Sequence, residues 1–231
     1  MMTTTLITGG NAGLGFETAK RLKALGHNVY IGARDEARGK EAATELGVPF
    51  VKLDVTDEAT VAQAAKIIAE LEGHLDVLIN NAGISGPFVT PEEITPDMME
   101  QVFQVNVFGV VRVTHHFLPL LEKSANPVIV NVSSGLGSFG QVLNPEQIES
   151  KLNPLVYSSS KAAVSMLTVQ YAKGLSTIRI NAVDPGPTKT GLTGQGHQTV
   201  QEGTDAIVQM ATIDNNGPTG TFINRDGIIP W

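Results

Sequence analysis

One glycine-rich turn, set between the first strand and the first helix, constrains this chain more than any other feature. The β-branched run Thr3 to Thr8 leads into Thr8-Gly9-Gly10-Asn11-Ala12-Gly13-Leu14-Gly15, and a helical stretch follows to about Leu25. Glycines there permit positive φ and let a backbone approach a pyrophosphate, which then meets the free N–H groups and positive dipole end of the helix. A glycine turn alone is a weak sign. Its position straight after a first strand makes it a dinucleotide cradle.

The rest of the chain repeats the same alternation. Apolar, β-branched runs predict strands near residues 3–8, 28–33, 49–53, 75–80, 127–132, 177–183 and 219–224. Helical periodicity fills the gaps at about 13–25, 35–46, 57–72, 97–123, 156–173 and 199–212, the last opening on the capping box Thr199-Val-Gln-Glu202. Strands separated by helices imply right-handed crossovers and a parallel sheet covered on both faces. The expected fold is α/β: a Rossmann-type, doubly wound, parallel seven-stranded sheet in a single domain over residues 1–231. With 42% hydrophobic residues, a chain of 231 can fill one such core.

Two further segments carry chemistry. The strand Val128-Ile-Val-Asn-Val132 ends abruptly in Ser133-Ser134-Gly135, and in an open parallel sheet ligands bind beyond the carboxyl ends of the strands. A Ser-Ser-Gly is also a common turn. Farther on, Tyr157 and Lys161 lie four residues apart in a helical stretch, so a phenol and an ammonium share one face. A free phenol titrates near 10, and a fixed positive charge beside it lowers that value. By itself the pair reads equally well as two surface neighbours. Asn106 sits among Val102, Phe103, Val105, Val107, Phe108, Val110 and Val111, so its helix must be largely buried and its amide needs partners, either a functional group or a neighbouring backbone.

Taken in order, these segments resemble the short-chain dehydrogenase/reductase family, from Thr4 to about Gly227. Thr8, Gly9, Gly13 and Gly15 match its glycine motif, Asp54-Val55 its adenine-contacting pair, Asn80-Asn81-Ala82-Gly83 its Asn-Asn-Ala-Gly segment, and Pro185-Gly186-Pro187-Thr188-Lys189-Thr190 its nicotinamide loop. The resemblance implies catalytic roles for Asn106, Ser134, Tyr157 and Lys161: Tyr157 as proton donor, Lys161 lowering its pKa, Ser134 fixing the carbonyl oxygen and Asn106 supporting a proton relay. Ser133 is assigned to the backbone. It further implies cofactor contacts from Gly9, Asn11, Gly13, Leu14, Gly15, Arg34, Asp54, Val55, Asn81, Ala82, Gly83, Tyr157, Lys161, Pro185, Gly186, Thr188 and Thr190.

Cofactor choice turns on the end of the second strand. NAD-dependent relatives place an acid there to grip the ribose hydroxyls, and here that position resembles Ala33, followed by Arg34. Arg34 can pair with a 2′-phosphate, which favours NADPH over NADH. Alternatively Arg34 is a solvated loop residue and Asp35 serves the ribose.

The implied activity is NADPH-dependent reduction of a small ketone or aldehyde to an alcohol. Ser134 and Tyr157 are 23 positions apart, and segment 144–153 resembles the insertion that carbonyl reductases of the family carry there. The rival readings are an NADP(H)-binding redox sensor without turnover and a dehydrogenase of a hydroxylated ring. Phe88, Leu136, Phe139, Leu143 and Leu192 are expected to wall the substrate pocket, and Gly191, Gly194 and Gly196 to loosen a lid. A formal net charge of −7 argues against a nucleic-acid surface. Without cysteine there is no disulfide or thiolate chemistry, and the five histidines show no metal spacing. The absence of a leader or a long apolar stretch points to the cytoplasm and away from membranes. A homo-oligomer is compatible with the helices that relatives use to dimerise.

Overall fold

The structure, a computed structural model, describes residues 2–191 and 196–231. Its strands form one sheet in the order β3-β2-β1-β4-β5-β6-β7-β8: β1 Thr4–Thr8, β2 Asn28–Ala33, β3 Phe50–Lys52, β4 Val77–Asn80, β5 Val128–Val132, β6 Arg179–Val183, β7 Phe222–Asn224 and β8 Gly227–Ile228. All pairs are parallel except the last. There, Phe222–Asn224 and Gly227–Ile228 form an antiparallel hairpin, so the sheet has eight strands where the sequence predicts seven. Two residues are too few for a pattern of alternating hydrophobicity, which is why β8 escapes detection.

The apolar runs are buried on both faces, and period-two alternation splits them between two cores. Ile7, Ile31, Ile79, Val130 and Val183 face one side, against α1 (Gly13–Ala24), α2 (Glu36–Leu46) and α9 (Asp205–Ala211). Leu6, Tyr30, Leu78, Ile129 and Ile180 face the other, against α3 (Glu58–Glu72) and α5 (Gly109–Leu121). Helix starts follow local chemistry. Asp35 caps α2 by accepting from Arg38 N at 3.0 Å, and Asp57 caps α3 by accepting from Ala59 N at 2.9 Å.

The stretch expected as one helix over 97–123 is three pieces: α4 (Pro96–Phe103), a π-helical turn (Gln104–Phe108) and α5. A π turn inserts one residue into the helical register, and such bulges recur at functional sites. This one carries Asn106. Helix 199–212 also divides, into α8 (Val200–Gly203) and α9, although the capping box at Thr199 and Glu202 is present. Between β5 and the long α7 (Leu155–Gly174) lie a 3-10 turn (Gly135–Gly137), the short α6 (Phe139–Val142) and a second 3-10 turn (Ile148–Lys151). Residues after β8 return to this region: Ser138 Oγ donates to Pro230 O at 2.7 Å, and Gly140 N donates to Trp231 O at 3.0 Å. Trp231 stacks on Phe222, with ring centroids 5.4 Å apart. No helix among the described residues is long and apolar enough to cross a membrane.

Candidate active site

Strand order reverses between β1 and β4, and in doubly wound sheets that switch point, beyond the strands' carboxyl ends, is where ligands bind. A cleft of about 1320 Å³ opens there. Gly9, Asn11, Gly13 and Leu14 line it after β1; Arg34 after β2; Asp54 and Val55 after β3; Asn81, Ala82 and Gly83 after β4. Ser134, Tyr157, Lys161, Pro185, Gly186, Thr188 and Thr190 complete the wall. Of the sequence-predicted site residues, only Gly15 and Asn106 do not line the cleft.

Each of those two has another task. A β-carbon on Gly15 would lie 2.4 Å from Gly9 O and 2.6 Å from Asn81 Nδ2, so this glycine lets α1 pack against the turn. Asn106 is buried and its amide is fully engaged: Oδ1 accepts from Ile84 N at 2.9 Å, and Nδ2 donates to Ile84 O at 2.9 Å and Ser160 Oγ at 3.0 Å. It clamps the loop after β4 to α7. Asn81 braces the glycine turn in the same manner, donating from Nδ2 to Thr8 O at 2.9 Å and Gly9 O at 3.2 Å.

The glycine turn suits a dinucleotide. Gly9 and Gly13 have φ of 64° and 54°, in the left-handed region that side chains avoid. Ala12, the N-cap of α1, supplies no side-chain oxygen to the first-turn N–H groups beside the cleft, so an anion can take that place. At the end of β2, Asp35 is occupied: its carboxylate caps α2 and pairs with Arg38 Nε at 3.0 Å, while exposed Arg34 lines the cleft.

At the other end, Tyr157 and Lys161 project from α7 toward Ser134. The Ser134 hydroxyl hydrogen-bonds the Tyr157 phenol and also accepts from Leu136 N at 3.2 Å. Ser133 instead donates to Lys161 O at 3.1 Å and pairs with Ser165 Oγ, serving the helix backbone as its position suggested. Lys161 is 5% exposed; its ammonium donates to Val132 O at 2.7 Å and stands 5.6 Å from the centre of the Tyr157 ring.

The electrostatics correct one expectation. The phenol does not sit below its ordinary value in this arrangement. The Tyr157 ring is partly open to the cleft but its hydroxyl lies deep, and burial, aided by the negative charge of Asp184 and opposed by Ser134, pushes it up to about 12. Burial also brings Lys161 down to about 8, with Asp184 holding it up. Desolvation is the largest cause of both shifts.

A sequence model of the short chain dehydrogenase family matches residues 3–201. The chain is a member of that family. Salutaridine reductase of Papaver bracteatum is 32% identical over 94% of this chain and 92% of its own. An NADPH-bound carbonyl reductase from chicken fatty liver has a TM-score of 0.88 at 29% identity, covering 100% of this chain and 99% of that one. A 3-ketoacyl-(acyl-carrier-protein) reductase from Brucella melitensis, complexed with NADH, has a TM-score of 0.85 at 26% identity, with 96% of each chain covered.

As a short-chain dehydrogenase, the protein is an oxidoreductase, and two features of its cleft were not foreseen. The first is the wall. Phe88 and Leu136 line it as expected, but Phe139 and Leu143 do not; both are largely exposed, and Leu192 lies outside the described residues. Ile84, Val89, Ile148 and Leu152 line it instead, the last two from the 144–153 segment. Of the expected lid glycines, Gly191 borders the cleft, Gly194 lies outside the described residues, and Gly196 packs against the Pro187–Lys189 backbone.

The second is an acid pair. Asp184, at the carboxyl end of β6, is 7% exposed and receives Gly186 N at 2.9 Å and a bond from Gly135 N. Glu149 reaches the same point: a β-carbon on Gly135 would sit 2.9 Å from Glu149 Oε1 and 3.1 Å from Asp184 Oδ2. Thirty-five positions apart, the two carboxylates share no spacing signal. Asp184 alone had one, as an acid ending an apolar strand in the way Ser133 and Ser134 do. Among the described residues no cluster of three or more His, Cys, Asp or Glu could hold a metal ion.

Proposed function

We propose that this short-chain dehydrogenase uses NADPH to reduce small apolar ketones or aldehydes to alcohols, with Tyr157 as proton donor. The observation that carries the reading is that Ser134, Tyr157 and Lys161 meet at one end of the cleft whose other end holds the glycine turn and Arg34. At about 1320 Å³ the cleft exceeds the roughly 300–1,000 Å³ of a site for one drug-sized molecule, in keeping with two ligands side by side.

When bound, the reduced nicotinamide supplies the reducing equivalents. The cofactor would be held by Gly9, Asn11, Gly13 and Leu14 at the pyrophosphate, by Asp54 and Val55 at the adenine, and by the Pro185–Thr190 loop with Lys161 at the nicotinamide riboside. Arg34 would receive the 2′-phosphate, and this supports NADPH over NADH because Asp35, the acid able to grip a ribose, is committed to Arg38 and the start of α2.

The chain's own residues manage the proton. As the carbonyl oxygen gains negative charge, the Ser134 hydroxyl donates a hydrogen bond to it and Tyr157 transfers its phenolic proton. A phenol pushed up to about 12 is fully loaded at neutral pH, the state that reduction needs. The buried ammonium of Lys161 then stabilises the phenolate left behind. Apolar substrates suit the cleft wall, where Phe88, Ile148 and Leu152 are each at least half exposed and Ile84 and Leu136 are partly buried.

The test is a panel of aromatic and aliphatic carbonyls with purified protein, following NADPH oxidation, alongside Tyr157→Phe. Losing the acid should reduce turnover by at least about 10²-fold with little change in NADPH affinity. Wild-type protein that binds NADPH but oxidises it with no carbonyl, and is unaltered by Tyr157→Phe, would instead support a redox sensor.

A further inference from the structure

The proposed mechanism makes no use of Asp184, the most deeply buried carboxylate at the site. Leaving an ionised acid in a protein interior is costly unless something specific holds it. Here two backbone N–H groups do so, from Gly186 and Gly135, and the strand end fixes the residue through Asp184 N donating to Ile223 O at 2.8 Å. A side chain at Gly135 would crowd both carboxylates, its β-carbon 2.9 Å from Glu149 Oε1 and 3.1 Å from Asp184 Oδ2. Such a built pocket for one carboxylate, in the wall of the cleft beside Tyr157 and Lys161, is more than a loop requires.

The charged neighbours of Asp184 lie on both sides. From α7 come Lys161 and the Tyr157 phenol; from the 3-10 turn after α6 comes Glu149; from the β5 end come only Ser134 and the Gly135 backbone. Behind it, a second cavity of about 180 Å³ is bordered by Asp184 and Glu149 together with Gln198, Arg225 and Asp226. Arg225 is already paired with Glu202 at 2.9 Å. Lys161 is thus the cation that Asp184 serves within the cleft wall.

We propose that Asp184 is a positioning residue: its buried carboxylate keeps the Lys161 ammonium charged and the Tyr157 phenol protonated, holding the site in its proton-loaded, carbonyl-reducing form. Two partners respond to one charge. Negative charge at 184 stabilises the cation and opposes a second anion, so it favours the protonated form of both. The directions agree, since Asp184 raises Lys161 against its burial and raises Tyr157 along with it. Burial and Glu149 raise Asp184 itself, whereas the two N–H donors and Lys161 lower it, so its ionised form depends on these contacts.

The inference rests on Tyr157 being the proton donor, and its test keeps the two apart. Asp184→Asn retains the shape and an oxygen for Gly186 N while removing the charge. The measurement is kcat/KM for carbonyl reduction from pH 6 to 10 at saturating NADPH, with thermal melts and NADPH titrations to establish folding. The alkaline limb should move to lower pH by about one unit or more, the usual effect of a close charge. Glu149→Gln should not move that limb to lower pH, because it removes a charge that raises Asp184 and leaves the Asp184 carboxylate in place. Asp184→Ser repeats the experiment where the amide does not fold and should move the limb equally. A uniform loss of rate with an unmoved limb would overturn the proposal, leaving Asp184 a structural residue. If Tyr157→Phe retains its rate, the proton-donor reading itself fails, whatever Asp184→Asn does.

Discussion

Replacing Gly15 by Ala tests whether the glycine turn is held by packing or by the cofactor. The added methyl would lie 2.4 Å from Gly9 O, 2.6 Å from Asn81 Nδ2 and 3.0 Å from Gly10 Cα. Two of the three obstacles are backbone, and the third is the amide that bonds Thr8 O and Gly9 O. Relief therefore means shifting α1 or the turn, an overpacking cost of about 1–3 kcal/mol, and weakening an amide hydrogen bond worth about 1 kcal/mol. Together these give a destabilisation of about 2–4 kcal/mol in the absence of any ligand. At roughly 2–4 °C per kcal/mol for a chain of this size, Tm should drop by about 4–16 °C. Urea unfolding without NADPH measures it directly. Gly174→Ala is the matched comparison: this last residue of α7 has nothing within 4 Å of an added β-carbon, and the change should raise stability by up to about 1 kcal/mol. A Gly15→Ala midpoint equal to that of wild type would refute the steric argument.

Two other outcomes follow from the site. Arg34→Asp should reduce kcat/KM for NADPH by at least about tenfold, through loss of a charge-assisted pair and added repulsion of the 2′-phosphate, while sparing NADH; unchanged preference between the cofactors would remove the assignment. With Lys161 held near 8, its charge is complete below that pH and lost above it, so the reduction rate should fall as pH rises through about 8. A rate flat to pH 10 would contradict the role given to the ammonium.

Local features were legible where one segment carries its own chemistry. Gly9 to Gly15 reads as a cradle because strand, glycines and helix follow one another, and Tyr157 and Lys161 share a face because they are four apart on a helix. What depends on tertiary placement was not legible. The direction of the Tyr157 shift is set by the depth of its hydroxyl and by Asp184, 27 positions away. Asn106 reads as a buried amide in any helix, but only the π turn and the approach of Ile84 reveal what it holds. Gly15 falls in a motif whose glycines do different work, and coordinates are needed to separate the one that packs from those beside the ligand.

The bonds from Ser138 and Gly140 to Pro230 and Trp231 set an order on biogenesis. Ser138 and Pro230 are separated by 92 positions, whereas the turn after β1 is braced by Asn81, 73 positions from Thr8 and already made when β5 emerges. A ribosome thus delivers every component of the nucleotide cradle up to Gly83 long before it delivers the clasp for the catalytic segment. The catalytic segment is therefore fastened only when Pro230 and Trp231 are in place, whereas the brace on the glycine turn needs nothing beyond Asn81.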